Sequence, residues 1–181
     1  MSKPDYVFGI GPPKSGTHSL AKCLRSMGRK CVHIGTKSEV GELMMSNKRQ
    51  SKPILDGIEC DAICDWPTHR LFRDLDKCYP GSKFILTYRD PDSAALSWCR
   101  MQLNWPMPYT HTYSGFKANV QDHYNECFSY FMNRGDDFLV VQGNDDPQRN
   151  AEMIAEFIGW EGTVEPFPHE FKHGTWYRSK E

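Results

Sequence analysis

The chain has 181 residues, with 22 Lys and Arg against 23 Asp and Glu and a formal charge of −1. That length suits a single domain spanning 1–181, since domains commonly hold about 100–200 residues. The near-balanced charge argues against a bulk electrostatic affinity for nucleic acid or anionic membrane. No apolar run approaches the roughly 18 residues of a membrane span, and Met1-Ser-Lys-Pro-Asp5 lacks the layout of a secretory signal. A soluble, cytoplasmic protein is therefore expected. Seven cysteines are an odd number, and Cys60 and Cys64 have no second matching pair, so neither a disulfide framework nor a metal is expected. The cysteines read as reduced, mostly buried small hydrophobes.

In chain order, Val7–Ile10 reads as a buried strand and Thr17–Met27 as a helix. Leu20, Cys23, Leu24 and Met27 share one face of that helix, and Gly28 ends it. Lys30–Ile34 is a second strand, Glu39–Asn47 a polar helix, Ser51–Glu59 a loop and Ala62–Cys64 a short strand. Pro67 opens a helix to about Tyr79, because proline suits a first turn where its missing N–H costs nothing. Lys83–Tyr88 is the clearest strand, and Pro91 starts a helix to about Met101. An aromatic loop from Asn104 to Gly115 precedes a long helix from Phe116 to about Arg134. Phe138–Val141 is a further strand, Asp146 and Pro147 cap a helix reaching Ile158, and no clean period follows from Trp160.

Strands alternating with helices imply right-handed crossovers and an α/β three-layer sandwich, a central parallel sheet flanked by helices. Ligands of such sheets sit beyond the carboxyl ends of the strands. Lys14 and Arg89 each follow a strand, so distant parts of the chain can converge on one edge.

The first strand breaks into Gly11-Pro-Pro-Lys-Ser-Gly-Thr17, which reads as a P-loop-type phosphate cradle. Backbone N–H groups there can turn towards one anion, and the following helix adds its positive end. Gly16 allows close backbone approach, Lys14 brings a point charge, and Ser15, Thr17 and Ser19 bring hydroxyls. In the nucleoside-triphosphate pattern a lysine directly follows the second glycine, but here Thr17 and His18 hold the last two places and Lys14 lies inside the loop. Between Tyr6 and Ser38 there is no acidic residue, while Lys14, Lys22, Arg25, Arg29, Lys30 and Lys37 all fall there. That charge reads as a solvated helix face or as an anion-attracting surface, and the adjacent loop favours the anion.

Arg89 stands at the end of the strongest strand, and Ser97 follows eight residues later on the next helix. An arginine grips phosphate with two donors and a serine adds another, so the two segments together suit a ligand with two separated phosphates. Pro13-Lys14-Ser15-Gly16-Thr17 with Arg89 and Ser97 resembles the sulfotransferases that use 3'-phosphoadenosine 5'-phosphosulfate. The resemblance implies that Pro13, Lys14, Ser15, Gly16, Thr17, His18 and Ser19 hold the 5' phosphosulfate end, and that Arg89 and Ser97 hold the 3' phosphate. Asp65-Trp66-Pro67 lies where cytosolic members have His-x-Pro with the catalytic base, and is similar to a smaller Asp-x-Pro branch. Glu165-Pro-Phe-Pro-His169 resembles that same branch. Ser19 falls where many relatives have an adenine-stacking tryptophan, and Lys172-His173-Gly174 is a loose counterpart of their Arg-Lys-Gly grip, which places Lys172 at the 3' phosphate.

The implied reaction moves a sulfuryl group from that donor to a hydroxyl or amine of a small-molecule or glycan acceptor, leaving adenosine 3',5'-bisphosphate, with no metal required. Lys14 would stabilise developing charge. Asp65 is the first candidate base, although its ordinary pKa of about 3.9 is low for that task unless burial raises it. His33 and His18, nearer neutrality, are the alternatives. The aromatic stretch from Trp98 to Phe116 reads equally as acceptor site, lid or core. Two rival readings are a P-loop kinase of small molecules or nucleotides and a non-catalytic adenosine bisphosphate-binding protein.

Overall fold

The computed structural model describes residues 5–35, 39–104, 111–143 and 145–168. Within them lie strands β1 (Val7–Gly9), β2 (Cys31–His33), β3 (Ala62–Cys64), β4 (Lys83–Tyr88) and β5 (Phe138–Gln142). They alternate with helices α1 (Thr17–Ser26), α2 (Glu39–Arg49), α3 (Thr68–Cys78), α4 (Pro91–Asn104), α5 (Tyr113–Phe131) and α6 (Pro147–Ile158). The strands form one wholly parallel sheet in the order β2-β3-β1-β4-β5. β1 is central, with β3 on one side and β4 on the other, so the connections diverge at its carboxyl end and open a crevice there.

Side chains alternate across a strand, and both faces of this sheet are covered. Phe8, Ile63, Phe84 and Leu86 pack with Phe72 and Leu75 of α3 and Tyr124 and Phe131 of α5. Val7, Ala62, Cys64 and Ile85 pack with Leu20 and Leu24 of α1 and Ile154 of α6. Double-sided burial is why the strands read as continuous apolar runs. Each fully buried side chain such as Phe8 or Leu24 contributes about 1.5–3 kcal/mol relative to exposure.

The expected elements are present, with shifted ends. The long helix begins at Tyr113 rather than Phe116, because the Thr112 hydroxyl caps it by accepting from the Gly115 N–H at 3.1 Å. Pro67 is the cap of α3 rather than its first helical residue. Asp146 caps α6 as expected, accepting from the Arg149 N–H. Cys23, Cys31, Cys64 and Cys127 are buried in the cores. Trp98 and Phe116, the ends of the aromatic stretch, stack at 4.6 Å within the core, while residues 105–110 lie outside the described part. No helix among the described residues is long and apolar enough to cross a membrane.

Candidate active site

The loop after β1 is pinned from beneath. A Cβ on Gly11 would fall 1.9 Å from Thr87 Oγ1 and 2.6 Å from Ser15 Oγ, so only glycine lets the loop cross the end of β4 this closely. Ser15 donates to the Pro12 carbonyl at 2.7 Å, and its hydroxyl pairs with Thr87 Oγ1, also at 2.7 Å. The Ser15 side chain is thus committed to holding the loop on β4. Lys14 and Gly16 both take left-handed backbone conformations, with φ of 72° and 110°. For Lys14 this costs about 1–2 kcal/mol, whereas a Cβ on Gly16 would meet no atom within 4 Å, so the loop faces open space there. α1 starts directly behind it, with no acidic residue in its first turn, and presents the positive end of its dipole.

Arg89, at the end of β4, donates from Nη1 to the Lys14 carbonyl at 3.1 Å. Its own backbone is clamped by the fully buried Tyr124, whose hydroxyl accepts from the Arg89 N–H at 3.0 Å and donates to its carbonyl at 3.1 Å. Ser97 is buried on α4, and Met101 one turn later brings its sulfur to 4.0 Å from Lys14 Nζ. Positions four apart share a helix face, so the Ser97 face of α4 is turned towards the loop.

This arrangement places two cations side by side. Burial, and then the neighbouring Arg89 guanidinium, push the Lys14 ammonium down to about 8, while Asp65 works in the opposite direction. Burial also lowers Arg89, with the charge of Arg100 on α4 adding to the effect. A half-buried Lys–Arg pair beside an open glycine turn and a helix N-terminus can attract an anion.

Asp65 follows β3 with φ of 83° and is 8% exposed. Burial raises its pKa to about 6, against the pull of the Trp66 N–H and the Lys14 charge. His33 stands beside it because β2 and β3 pair in parallel with His33 opposite Cys64. Its Nε2 is 3.6 Å from Asp65 Oδ2 and 3.2 Å from Thr17 Oγ1. Burial, then His18 and Arg25, lower His33 to about 4. Burial thus favours a neutral His33 imidazole beside the Asp65 carboxylate at neutral pH. His18 packs edge-on against the His33 ring at 4.9 Å.

Of the residues singled out in the sequence, Lys14, Thr17, His18, His33, Asp65 and Arg89 gather at one sheet edge. Pro13 and Gly16 shape the turn, and Ser19 is 7% exposed within α1. Lys172 and His169 lie outside the described residues. Phe167, in the same Pro-Phe-Pro segment, is bonded through its N–H to the Pro147 carbonyl at 2.8 Å and packs on the α1 side of the sheet. Sequence reasoning missed Thr87, Met101 and Tyr124. It also missed His123, whose Nε2 lies 2.7 Å from the Ile10 carbonyl under the loop. Tyr124 sits among Phe116, Val120, Cys127 and Phe131, a spacing that reads only as a core stripe.

The sheet order, the loop and the strand-end arginine define a parallel α/β protein with a crevice flanked by Lys14 and Arg89 at its topological switch point. Residues 6–156 match the sulfotransferase domain family, and the chain belongs to it. Among solved structures it is similar to mouse sulfotransferase SULT7A1 complexed with PAP, at 17% identity and a TM-score of 0.59, covering 90% of this chain and 61% of that one. It is also similar to the sulfotransferase domain of the Synechococcus PCC 7002 olefin synthase, at 16% identity and a TM-score of 0.61, covering 87% of this chain and 74% of that one. The chain thus spans less than two thirds of the mouse protein's length. No curated protein matches it by sequence.

Proposed function

We propose that the protein is a sulfotransferase that takes a sulfuryl group from 3'-phosphoadenosine 5'-phosphosulfate and passes it to an acceptor hydroxyl or amine, leaving adenosine 3',5'-bisphosphate. The observation that carries this reading is the 3.1 Å bond from Arg89 to the Lys14 carbonyl. It brings the strand-end arginine against the glycine turn, which supports the reading that one short ligand with phosphates at both ends engages both.

The residues present fit such a donor. The open turn at Gly16, the helix end without acidic residues and the desolvated Lys14 suit the 5' end, and Arg89 with Ser97 suits the 3' phosphate. When bound, the donor supplies an activated sulfuryl group on a phosphate leaving group. Lys14 holds positive charge where negative charge builds, stabilisation that is strongest in a water-poor site. Asp65 removes the acceptor proton onto its carboxylate, and with a pKa raised to about 6 it is a better base than an ordinary aspartate while still ionised at neutral pH. Thr17 and the first turn of α1 orient the donor. The acceptor, a small molecule or glycan, enters beside Asp65, and the setting is cytoplasmic.

The test is thermal stabilisation by adenosine 3',5'-bisphosphate against ATP and AMP, since a ligand that binds only the folded state raises the melting point. A clear preference for the bisphosphate is expected. A preference for ATP with magnesium would instead favour a kinase.

A further inference from the structure

We propose that His33 is a positioning residue whose neutral imidazole, protonated on Nε2, ties the Thr17 hydroxyl of the phosphate loop to the Asp65 carboxylate. This rests on the reading of the loop as the donor site and of Asp65 as the base. It concerns how the two halves of the site are joined.

The geometry favours one arrangement for the proton. Nε2 is 3.2 Å from Thr17 Oγ1 and 3.6 Å from Asp65 Oδ2, and the His33 and Asp65 side chains are only 17% and 12% exposed. A lone pair on Nε2 would face an ionised carboxylate in a poorly solvated setting, which is repulsive, whereas an N–H there is attracted to both oxygens. Thr17 Oγ1 then accepts from Nε2 and its own proton is directed elsewhere. Thr17 is the first residue of α1, directly after the phosphate loop, so that proton can be given to an anion held by the loop. The 3.6 Å approach to Asp65 is longer than a hydrogen bond, and such contacts commonly shorten when a site is loaded.

Each position is fixed independently. Parallel pairing of β2 with β3 sets His33 beside the end of the strand that carries Asp65, and α1 places Thr17 over β2. The edge contact of the His18 ring at 4.9 Å holds the imidazole from the α1 side. The charged and titratable groups facing this chain are His18 and Arg25 from α1, Lys14 from the loop, and Cys64 from β3. Burial, then His18 and Arg25, keep His33 neutral, while burial raises Asp65 against the pull of the Trp66 N–H and Lys14.

Two measurements decide the matter. Nitrogen NMR of the ligand-free full chain at pH 7 should show His33 protonated on Nε2, with a second inflection near pH 6, as Asp65 titrates, that disappears in Asp65→Asn. A proton on Nδ1, or an inflection that persists in that variant, overturns the proposal. Calorimetric binding of adenosine 3',5'-bisphosphate to Thr17→Val, His33→Phe and the double variant forms a cycle. Each single change should weaken binding about tenfold, the worth of one hydrogen bond to a charged group, and the double variant should be no more than about twofold weaker than Thr17→Val alone. A loss of about a hundredfold in the double variant would mean independent roles and refute the link. His33→Gln, which retains a donor, should keep binding within about threefold of the parent, and a loss as large as that of His33→Phe counts against the proposal. Failure of the parent protein to bind the bisphosphate would sink the donor reading, and the tautomer measurement would still decide the role of His33.

Discussion

Replacing Asp65 by asparagine should make the protein more stable at neutral pH while abolishing its function. Burial raises the carboxyl from 3.8 to about 6, so the folded state keeps a proton that the unfolded chain has already released between those values. The unfolded state binds fewer protons across that window, and stability therefore falls as pH rises from about 4 to about 6 and then levels off. The difference between 3.8 and about 6 corresponds to about 3 kcal/mol of strain in the ionised form at pH 7. Asparagine keeps the shape and an acceptor for the Trp66 N–H but carries no charge, so Asp65→Asn removes this cost. For a chain of this size the melting temperature should rise by up to about 6–12 °C at pH 7. Near pH 4 the gain should shrink to almost nothing. Thermal denaturation of both proteins at pH 4, 5, 6 and 7 measures this directly. A lower melting point for Asp65→Asn at pH 7, or an equal shift at pH 4 and pH 7, would refute the claim that the carboxylate is held against its desolvation.

Lys14→Ala should cut transfer about 10²–10³-fold while weakening bisphosphate binding much less, because its charge is aimed at the developing leaving group; parallel turnover and calorimetry separate the two effects. Arg89→Ala should chiefly weaken binding, by more than about tenfold, because it removes a charged grip and releases the Lys14 carbonyl; calorimetry giving equal, small losses for both variants would contradict the assigned roles. Transfer rate against pH should be bell-shaped, rising through about 6 as Asp65 ionises and falling through about 8 as Lys14 loses its proton. Gly11→Ala should lose the folded loop, since the added carbon would overlap Thr87 Oγ1 and Ser15 Oγ; a melting point and bisphosphate affinity equal to the parent's would contradict it.

The strands were legible because double-sided burial leaves apolar runs, and the phosphate loop because glycine, lysine and hydroxyl residues follow the first of them. Arg89 was legible from its place at the end of the clearest strand. What joins these pieces was not. The Tyr124 clamp on Arg89 and the Ser15–Thr87 contact are tertiary pairings 35 and 72 residues apart, and neither residue type stands out in its own segment. From the sequence alone His33, with an ordinary pKa nearer neutrality, is an alternative base. Burial lowers it to about 4 and raises Asp65 to about 6, an exchange of basicity that follows from where the fold buries the two groups and not from composition. The start of α5 moved because Thr112 caps it, a local side-chain choice that periodicity does not register.

The central claim is that Lys14 and Arg89 close on the two ends of one nucleotide. A crystal structure of the protein with adenosine 3',5'-bisphosphate tests it most directly. The account predicts the 5' phosphate in the turn of residues 11–17 and the 3' phosphate on Arg89 and Ser97. A bisphosphate bound elsewhere, or one that touches the loop with its 3' phosphate turned away from Arg89, would contradict it.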